Sequence, residues 1–177
     1  MPNNAKHCMV DLETMGTDSK SAIVSIGAVK FTSKIVDEFY INIDLKSSAA
    51  KGMFIDPGTI IWWMKQSDEA RKALRANTTE ADKALMQFSL WFGESKYIWG
   101  NGSAFDCVIL GNAFRACGIP VPWNFYDERC YRTLKSLFPQ LKASDTRGTK
   151  HNALEDARYQ AEHLIKIIRY KRENLGS

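Results

Sequence analysis

Three strand-like segments follow one another closely within the first 43 residues, which leaves few ways to arrange them. Residues 8–12 form an apolar run, residues 22–31 are rich in Ile and Val, and residues 36–43 alternate in polarity. Only residues 14–21, a polar stretch that includes Gly16, separate the first two segments. Such short connections join antiparallel neighbours, so the sequence predicts an antiparallel meander at the start of the fold.

Helix-like segments dominate the rest of the chain. Capping residues and apolar stripes predict helices from residues 67 and 78 onward and within residues 59–66, 103–117, 126–138 and 151–173. A short strand is expected at residues 96–99, and residues 44–56 are expected to be irregular. Consecutive strands followed by mixed strands and helices predict an α/β fold with a central mixed β-sheet flanked by α-helices. The length fits a single domain over residues 1–177.

The composition narrows the classes of function. A formal net charge of +4 permits a nucleic-acid partner without requiring one. The four cysteines lack CxxC spacing and neighbouring histidine pairs, which argues against a zinc site, and we expect free thiols in a reducing compartment. No apolar run reaches membrane-spanning length, and the polar start does not match a signal peptide. We therefore expect a cytoplasmic protein without a membrane partner.

Two acids, Asp11 and Glu13, follow the first apolar run at a spacing of two residues. Side chains two apart on a strand point to the same face, so both carboxylates project into one place. Their repulsion would raise the pKa of one of them unless a cation lies between them. A solvated strand end explains the same two residues, and this segment alone leaves both interpretations open.

Two further acids lie near the starts of predicted helices. Asp106 follows a glycine-bracketed turn after the strand at residues 96–99, and complementing the helix dipole is its ordinary role. Asp156 lies on the apolar stripe of the last helix, five residues after His151. Five helical positions rotate a side chain by about 140°, so both cannot share a face if both are helical. We therefore expect His151 in the loop or at the N-cap, with Asp156 pointing inward.

Taken in order, these residues resemble the DEDDh branch of 3′→5′ exonucleases. The matching positions are Asp11, Glu13, Asp106, His151 and Asp156. The resemblance covers nearly the whole chain, and the segments MVDLETMG, WGNGSAFD and HNALEDARYQA are most similar to exonucleases of phages and prophages. The family fold is ribonuclease H-like, a central mixed sheet flanked by helices, which agrees with the order of elements predicted above.

The resemblance implies a metal-dependent hydrolase that releases nucleoside 5′-monophosphates from the 3′ end of nucleic acid. The four carboxylates would hold two ions of Mg²⁺ or Mn²⁺, for which oxygen ligands are suited. His151 would act as the general base, since an imidazole can accept a proton near neutral pH. The phage-like subgroup favours DNA over RNA, and the expected partners are single strands or 3′ ends.

Substrate-binding candidates surround the acids. In the family, the segment with Leu12, Thr14 and Met15 lines the pocket for the terminal nucleotide. Trp62 and Trp63 lie about 100° apart on a helix, so we consider a base-stacking role for one of them beside core packing for both. Asn101 and Phe105, near the turn before Asp106, are further candidates. Residues 142–150 form either a lid over the site or a solvated loop. Phosphate contacts are considered for five cations: Arg129, Arg132, Arg158, Lys171 and Arg172.

Two other functions and the oligomeric state stay open at this point. An endonuclease on the same fold would use the same carboxylates, and a non-catalytic nucleic-acid-binding module would keep the fold without the chemistry. The presence of all five residues of the constellation argues against the second alternative. Many relatives are homodimers, so a homodimer is one candidate assembly.

Overall fold

A computed structural model of the protein describes residues 5–144 and 151–174, and a six-stranded mixed sheet forms its centre. In chain order the strands are β1 His7–Thr14, β2 Ile23–Phe31, β3 Ile35–Ile43, β4 Thr78–Thr79, β5 Tyr97–Gly100 and β6 Glu128–Cys130. Their order across the sheet is β4-β3-β2-β1-β5-β6. β1, β2 and β3 pair antiparallel, and β5 joins β1 in parallel. The predicted meander and mixed sheet are confirmed.

Seven α-helices flank the sheet within the described residues. They are α1 Leu45–Ala50, α2 Pro57–Met64, α3 Asp68–Ala73, α4 Ala81–Phe92, α5 Asp106–Ala116, α6 Tyr131–Ser136 and α7 Ala153–Asn174. The side chains of Asp44, Asp56 and Ser67 accept backbone N–H bonds at the starts of α1, α2 and α3, which satisfies donors that the first helical turn leaves unpaired. None of the helices in residues 5–144 and 151–174 is long and apolar enough to cross a membrane.

Three segments differ from the sequence prediction. The helix expected over residues 126–138 is wrong in its first half, because Glu128–Cys130 pairs in parallel with β5 as an edge strand and only Tyr131–Ser136 is α-helical. Thr78 and Thr79 pair with the end of β3 instead of starting a helix. The segment expected to be irregular contains α1. The first two differences arise from pairing with distant strands, which local propensity does not contain.

The two faces of the sheet pack against different helices. Cys8, Val10 and Leu12 belong to the core cluster that contains α4 and α5, whereas Met9 belongs to the cluster that contains α7. Alternation along a strand therefore directs Asp11 and Glu13 toward the same face as Met9, on the side of α7. This three-layer arrangement brings the start of the last helix over the middle of the first strand.

Gly27 allows α7 to approach the sheet closely. It pairs with Asp11 across β1 and β2, and a Cβ atom at Gly27 would lie only 2.1 Å from the backbone carbon of Ala153. No side chain fits in that space, so the first turn of α7 lies directly over the strand pair beside Asp11. Asp156 belongs to this first turn of α7 and therefore lies beside the acids of β1.

Candidate active site

Three carboxylates converge where β1 meets the start of α7. One ligand oxygen each from Asp11, Glu13 and Asp156 lies within 4.8 Å of the others. Glu13 and Asp156 are buried, at 8% and 5% exposure, while Asp11 keeps partial contact with solvent. The spacing of two on β1 and the inward position on α7 bring these side chains together as the sequence predicts.

Asp106 adds a fourth acid from α5. Its carboxylate is buried at 4% exposure, and the backbone N–H groups of Leu12 and Asn101 face it and lower its pKa. Gly100, the last residue of β5, makes room for it, since a Cβ there would lie 2.9 Å from the Asp106 side chain. The glycine at the start of this turn therefore also leaves the space that the Asp106 side chain occupies.

Burial and like charges make this cluster electrostatically strained. The pKa of Asp11 is raised well above its ordinary value by burial of the carboxyl group and then by the charges of Asp106, Glu13 and Asp156. Burial raises the pKa of Asp106 to about 7, against the backbone N–H bonds and the nearby Arg132, which lower it. Ionised carboxylates this close together need a counter-charge.

The donor set fits a divalent cation. All four side chains offer carboxylate oxygens, the ligand type preferred by Mg²⁺, Mn²⁺ and Ca²⁺. A bound cation would relieve the repulsion that raises the pKa of Asp11. The cluster of acids is therefore capable of binding divalent metal.

Gln160 is a site residue that the sequence analysis missed. Its Nε2 donates a 2.6 Å hydrogen bond to Oδ1 of Asp11, and the side chain is only 3% exposed. It lies four residues after Asp156, on the same face of α7. The signal was present in the sequence as a polar residue between Ala157 and Leu164 on the apolar stripe. Gln160 fixes the orientation of the Asp11 carboxylate without adding charge.

His151 lies in the turn before α7, as expected. Its φ of 61° is left-handed, and the side chain of the following Asn152 accepts backbone N–H bonds from Leu154 and Glu155 at the start of the helix. The imidazole packs edge-to-face on Trp62, with ring centroids 4.9 Å apart, and lies 6.2 Å from Trp63. Residues 145–150, most of the predicted lid, lie outside the described ranges.

The two tryptophans have different environments. Trp63 is 5% exposed, donates from Nε1 to the backbone oxygen of Thr14 at 3.0 Å, and packs with Val24 and Leu74. Trp62 is 42% exposed beside His151. Core packing therefore describes Trp63, and only Trp62 presents an indole surface to a ligand.

The remaining substrate-binding candidates differ in how far their side chains are exposed to solvent. Leu12 and Thr14 are buried in β1, and the Thr14 hydroxyl donates to the backbone oxygen of Gly16. Met15 and Phe105 are half-buried against the core, and Met15 also lines a cavity of about 540 Å³ beside α2 and α3. The Asn101 side-chain oxygen is buried, and no hydrogen-bond partner for it exists among the residues described.

The raised pKa values predict how stability depends on pH. Well below pH 4 the acids are protonated in both the folded and the unfolded state, so the cluster costs nothing. Between about pH 4 and 7 the unfolded state ionises while Asp106 in the folded state keeps its proton, so the free energy of unfolding falls as pH rises, and above about pH 7 the loss is complete. Asp11→Asn should therefore raise the melting temperature of metal-free protein at pH 8 by roughly 3–6 °C, and by much less at pH 4. Mg²⁺ should stabilise the unsubstituted protein at pH 8 but not the variant. Thermal denaturation measures both effects.

Glu94→Gln is the matched control, because it removes one negative charge from an exposed position. It should leave both the pH dependence and the Mg²⁺ effect unchanged. Equal melting temperatures for the unsubstituted protein and Asp11→Asn across this pH range would contradict a repulsive cluster.

Comparisons with known proteins agree with this geometry. The family model described as "3'-5' exoribonuclease Rv2179c-like domain" matches residues 6–168. An exodeoxyribonuclease of Enterobacteria phage T4 is 27% identical over 125 residues, covering 60% of this chain and 55% of the relative, so the chain spans about half the length of that protein.

Two solved structures share the fold. Exonuclease X in complex with 5′ overhanging duplex DNA has a TM-score of 0.61 at 19% identity, covering 92% of this chain and 91% of that one. The nuclease domain of 3′hExo, a DEDDh family member bound to rAMP, has a TM-score of 0.59 at 13% identity, with the same coverage. The predicted resemblance and the ribonuclease H-like fold are confirmed. Because the family match spans nearly the whole chain, this protein belongs to the Rv2179c-like family of 3′–5′ exoribonuclease domains.

Proposed function

We propose that the protein is a 3′→5′ exonuclease that releases nucleoside 5′-monophosphates from nucleic acid, with DNA favoured over RNA. The observation that carries the proposal is the convergence of Asp11, Glu13 and Asp156, with Asp106 beside them, where the internal strand β1 meets the start of α7. Family membership supports the direction of cleavage.

The four carboxylates would hold two divalent cations, Mg²⁺ or Mn²⁺. Bound there, the cations would supply charge stabilisation for the phosphodiester and lower the pKa of a coordinated water. The role of the chain is to keep the carboxylates in place: the backbone N–H groups orient Asp106 and Gln160 orients Asp11. Burial on the α7 side excludes bulk water from Glu13 and Asp156.

His151 is proposed as the general base that accepts a proton from the attacking water. Its turn immediately precedes the helix that carries Asp156, and its ring lies on the exposed indole of Trp62. A base placed on a turn can approach the substrate without displacing the acids. The reaction requires the imidazole in its neutral form.

The preference for DNA rests on the phage relative, whose name is exodeoxyribonuclease. The solved structure of exonuclease X contains duplex DNA with a 5′ overhang, a substrate form whose 3′ end is recessed. The family description and the rAMP bound to 3′hExo favour RNA instead. RNA is therefore the second candidate substrate, and the same site would cleave either backbone.

Digestion of labelled oligonucleotides tests the function. With Mg²⁺, we expect mononucleotides released successively from the 3′ end, faster from DNA than from matched RNA, and no cleavage in excess chelator. A 3′-phosphate should strongly slow the first cut. Internal fragments or equal digestion of circular strands would identify an endonuclease, and binding without cleavage at saturating Mg²⁺ or Mn²⁺ would identify a non-catalytic module.

His151→Ala should lower kcat by about 10²–10⁴-fold, the usual contribution of a general base. Because a base is not a metal ligand, the stabilisation of the fold by Mg²⁺ should be unchanged. Single-turnover rates at saturating Mg²⁺ measure the effect on the chemical step. An unchanged rate would remove His151 from the mechanism, and loss of the Mg²⁺ stabilisation would make it a ligand.

Replacing the tryptophans separately should give opposite results. Trp62→Ala should raise KM for oligonucleotides about 10-fold with little change in melting temperature, since stacking contributes roughly 1–3 kcal/mol per base. Trp63→Ala removes a buried indole and its hydrogen bond to Thr14, so unfolding should become easier by about 3–5 kcal/mol. Steady-state kinetics and thermal denaturation measure the pair. An unchanged KM in Trp62→Ala would exclude the stacking role.

A further inference from the structure

Arg132 is held in a fixed position beside the acids. It lies in α6, directly after β6, and its Nη2 donates a 2.6 Å hydrogen bond to the backbone oxygen of Asn101. Gly102 has a φ of 112°, and a Cβ atom there would lie 3.2 Å from both Cζ and Nη2 of the guanidinium. The guanidinium therefore lies across the bare backbone of the turn between β5 and α5. A long side chain anchored this way loses less conformational freedom when it binds a ligand.

The guanidinium of Arg132 lies close to the acids but forms no ion pair with them among the described residues. Its guanidinium lies over Gly102, whose backbone oxygen accepts a 3.2 Å hydrogen bond from the backbone N–H of Asp106, so Arg132 lies beside the start of α5 that carries this acid. Among residues 5–144 and 151–174, no ion pair within 4 Å involves Arg132, and its one hydrogen bond goes to a neutral carbonyl. The other N–H groups of this exposed guanidinium remain available to an anion.

Three other arginines, Arg158, Arg71 and Arg129, already interact with carboxylates, backbone oxygens or an aromatic ring. Arg158 pairs with Glu38 and Glu155, and Arg71 pairs with Asp68. Arg129, three residues before Arg132, donates to two backbone oxygens and covers the ring of Tyr97. Arg132 combines an anchored guanidinium, solvent access and proximity to the acids.

We propose that Arg132 forms a phosphate-binding subsite, in which its guanidinium binds a nonbridging oxygen of a backbone phosphate of the strand whose 3′ end lies at the acids. The planar fork of N–H donors matches two phosphate oxygens. This inference rests on the proposed function and deepens it. In strand order, β6 lies beyond β5 from β1, whereas the ring pair of Trp62 and His151 joins α2 to the turn before α7. The bound strand would therefore contact the protein on both sides of the cluster.

The competing role for Arg132 is structural, to hold the turn at Asn101. Salt dependence separates the two roles, because each single-strand phosphate neutralised by the protein contributes a slope of about 0.7 in a plot of log affinity against log salt. A purely structural contact leaves that slope unchanged.

The experiment measures kcat and KM for a single-stranded oligonucleotide at several salt concentrations, with Mg²⁺ saturating. Arg132→Gln should raise KM about 10-fold at low salt, leave kcat within about 3-fold, and reduce the salt slope of log KM by about 0.7. Arg132→Lys keeps the charge but loses the fork, so it should keep the slope and raise KM by a smaller factor. Arg115→Gln removes the same charge from the surface of α5 and should change neither quantity.

Each outcome bears on a different conclusion. If the unsubstituted enzyme does not cleave from the 3′ end, the proposed function fails. If it cleaves and Arg132→Gln keeps the original salt slope, or loses only kcat, the subsite is wrong and Arg132 acts on the turn. Inhibition by free dAMP shows which phosphate of the strand Arg132 binds. If dAMP inhibits Arg132→Gln more weakly than the unsubstituted enzyme, the subsite belongs to the terminal nucleotide. If inhibition is unchanged while KM for the oligonucleotide is raised, the subsite belongs to an interior phosphate.

Discussion

The rest of this structure depends on how it holds four mutually repelling carboxylates where β1 meets the start of α7. Burial and neighbouring negative charges raise the pKa values of Asp11 and Asp106, so the acids are held together at a cost to the metal-free fold. Neutral donors offset part of that cost: the backbone N–H groups of Leu12 and Asn101 for Asp106, and the Gln160 amide for Asp11. A lysine or arginine paired directly with these acids would stabilise the fold better, but would compete with a cation for the same oxygens.

Two glycines make this convergence sterically feasible. Gly27 lets the start of α7 lie against β1 and β2, and Gly100 leaves space for the Asp106 side chain at the end of β5. The acids come from three elements far apart in sequence, so their separation is set by the contact distance between backbone layers and not by loop length. Packing of the core on both sides of the sheet fixes that distance.

The surroundings of the cluster divide into rigid and accessible parts. Trp63 is buried and hydrogen-bonded to β1, which gives Trp62 a firm support for an exposed ring. His151 lies on that ring in a turn of left-handed backbone, outside the helix that carries Asp156. On the other side, Arg132 lies over Gly102. Groups proposed to meet the substrate are thus anchored on the scaffold but are not buried in it.

The sequence by itself determined the meander, the helix that carries Asp156, the loop position of His151, and which acids belong to one constellation. The first three conclusions depend on spacing within a single element, which is a local property of the chain. The constellation of acids came from their order along the whole chain and from its resemblance to the exonuclease family. The tertiary structure decided that Glu128–Cys130 is an edge strand, that Trp62 and not Trp63 is exposed, and that Gln160 and Arg132 reach Asp11 and Asn101. These contacts join residues about 30 to 150 positions apart. They follow from how the layers pack, so no local pattern of the sequence specifies them.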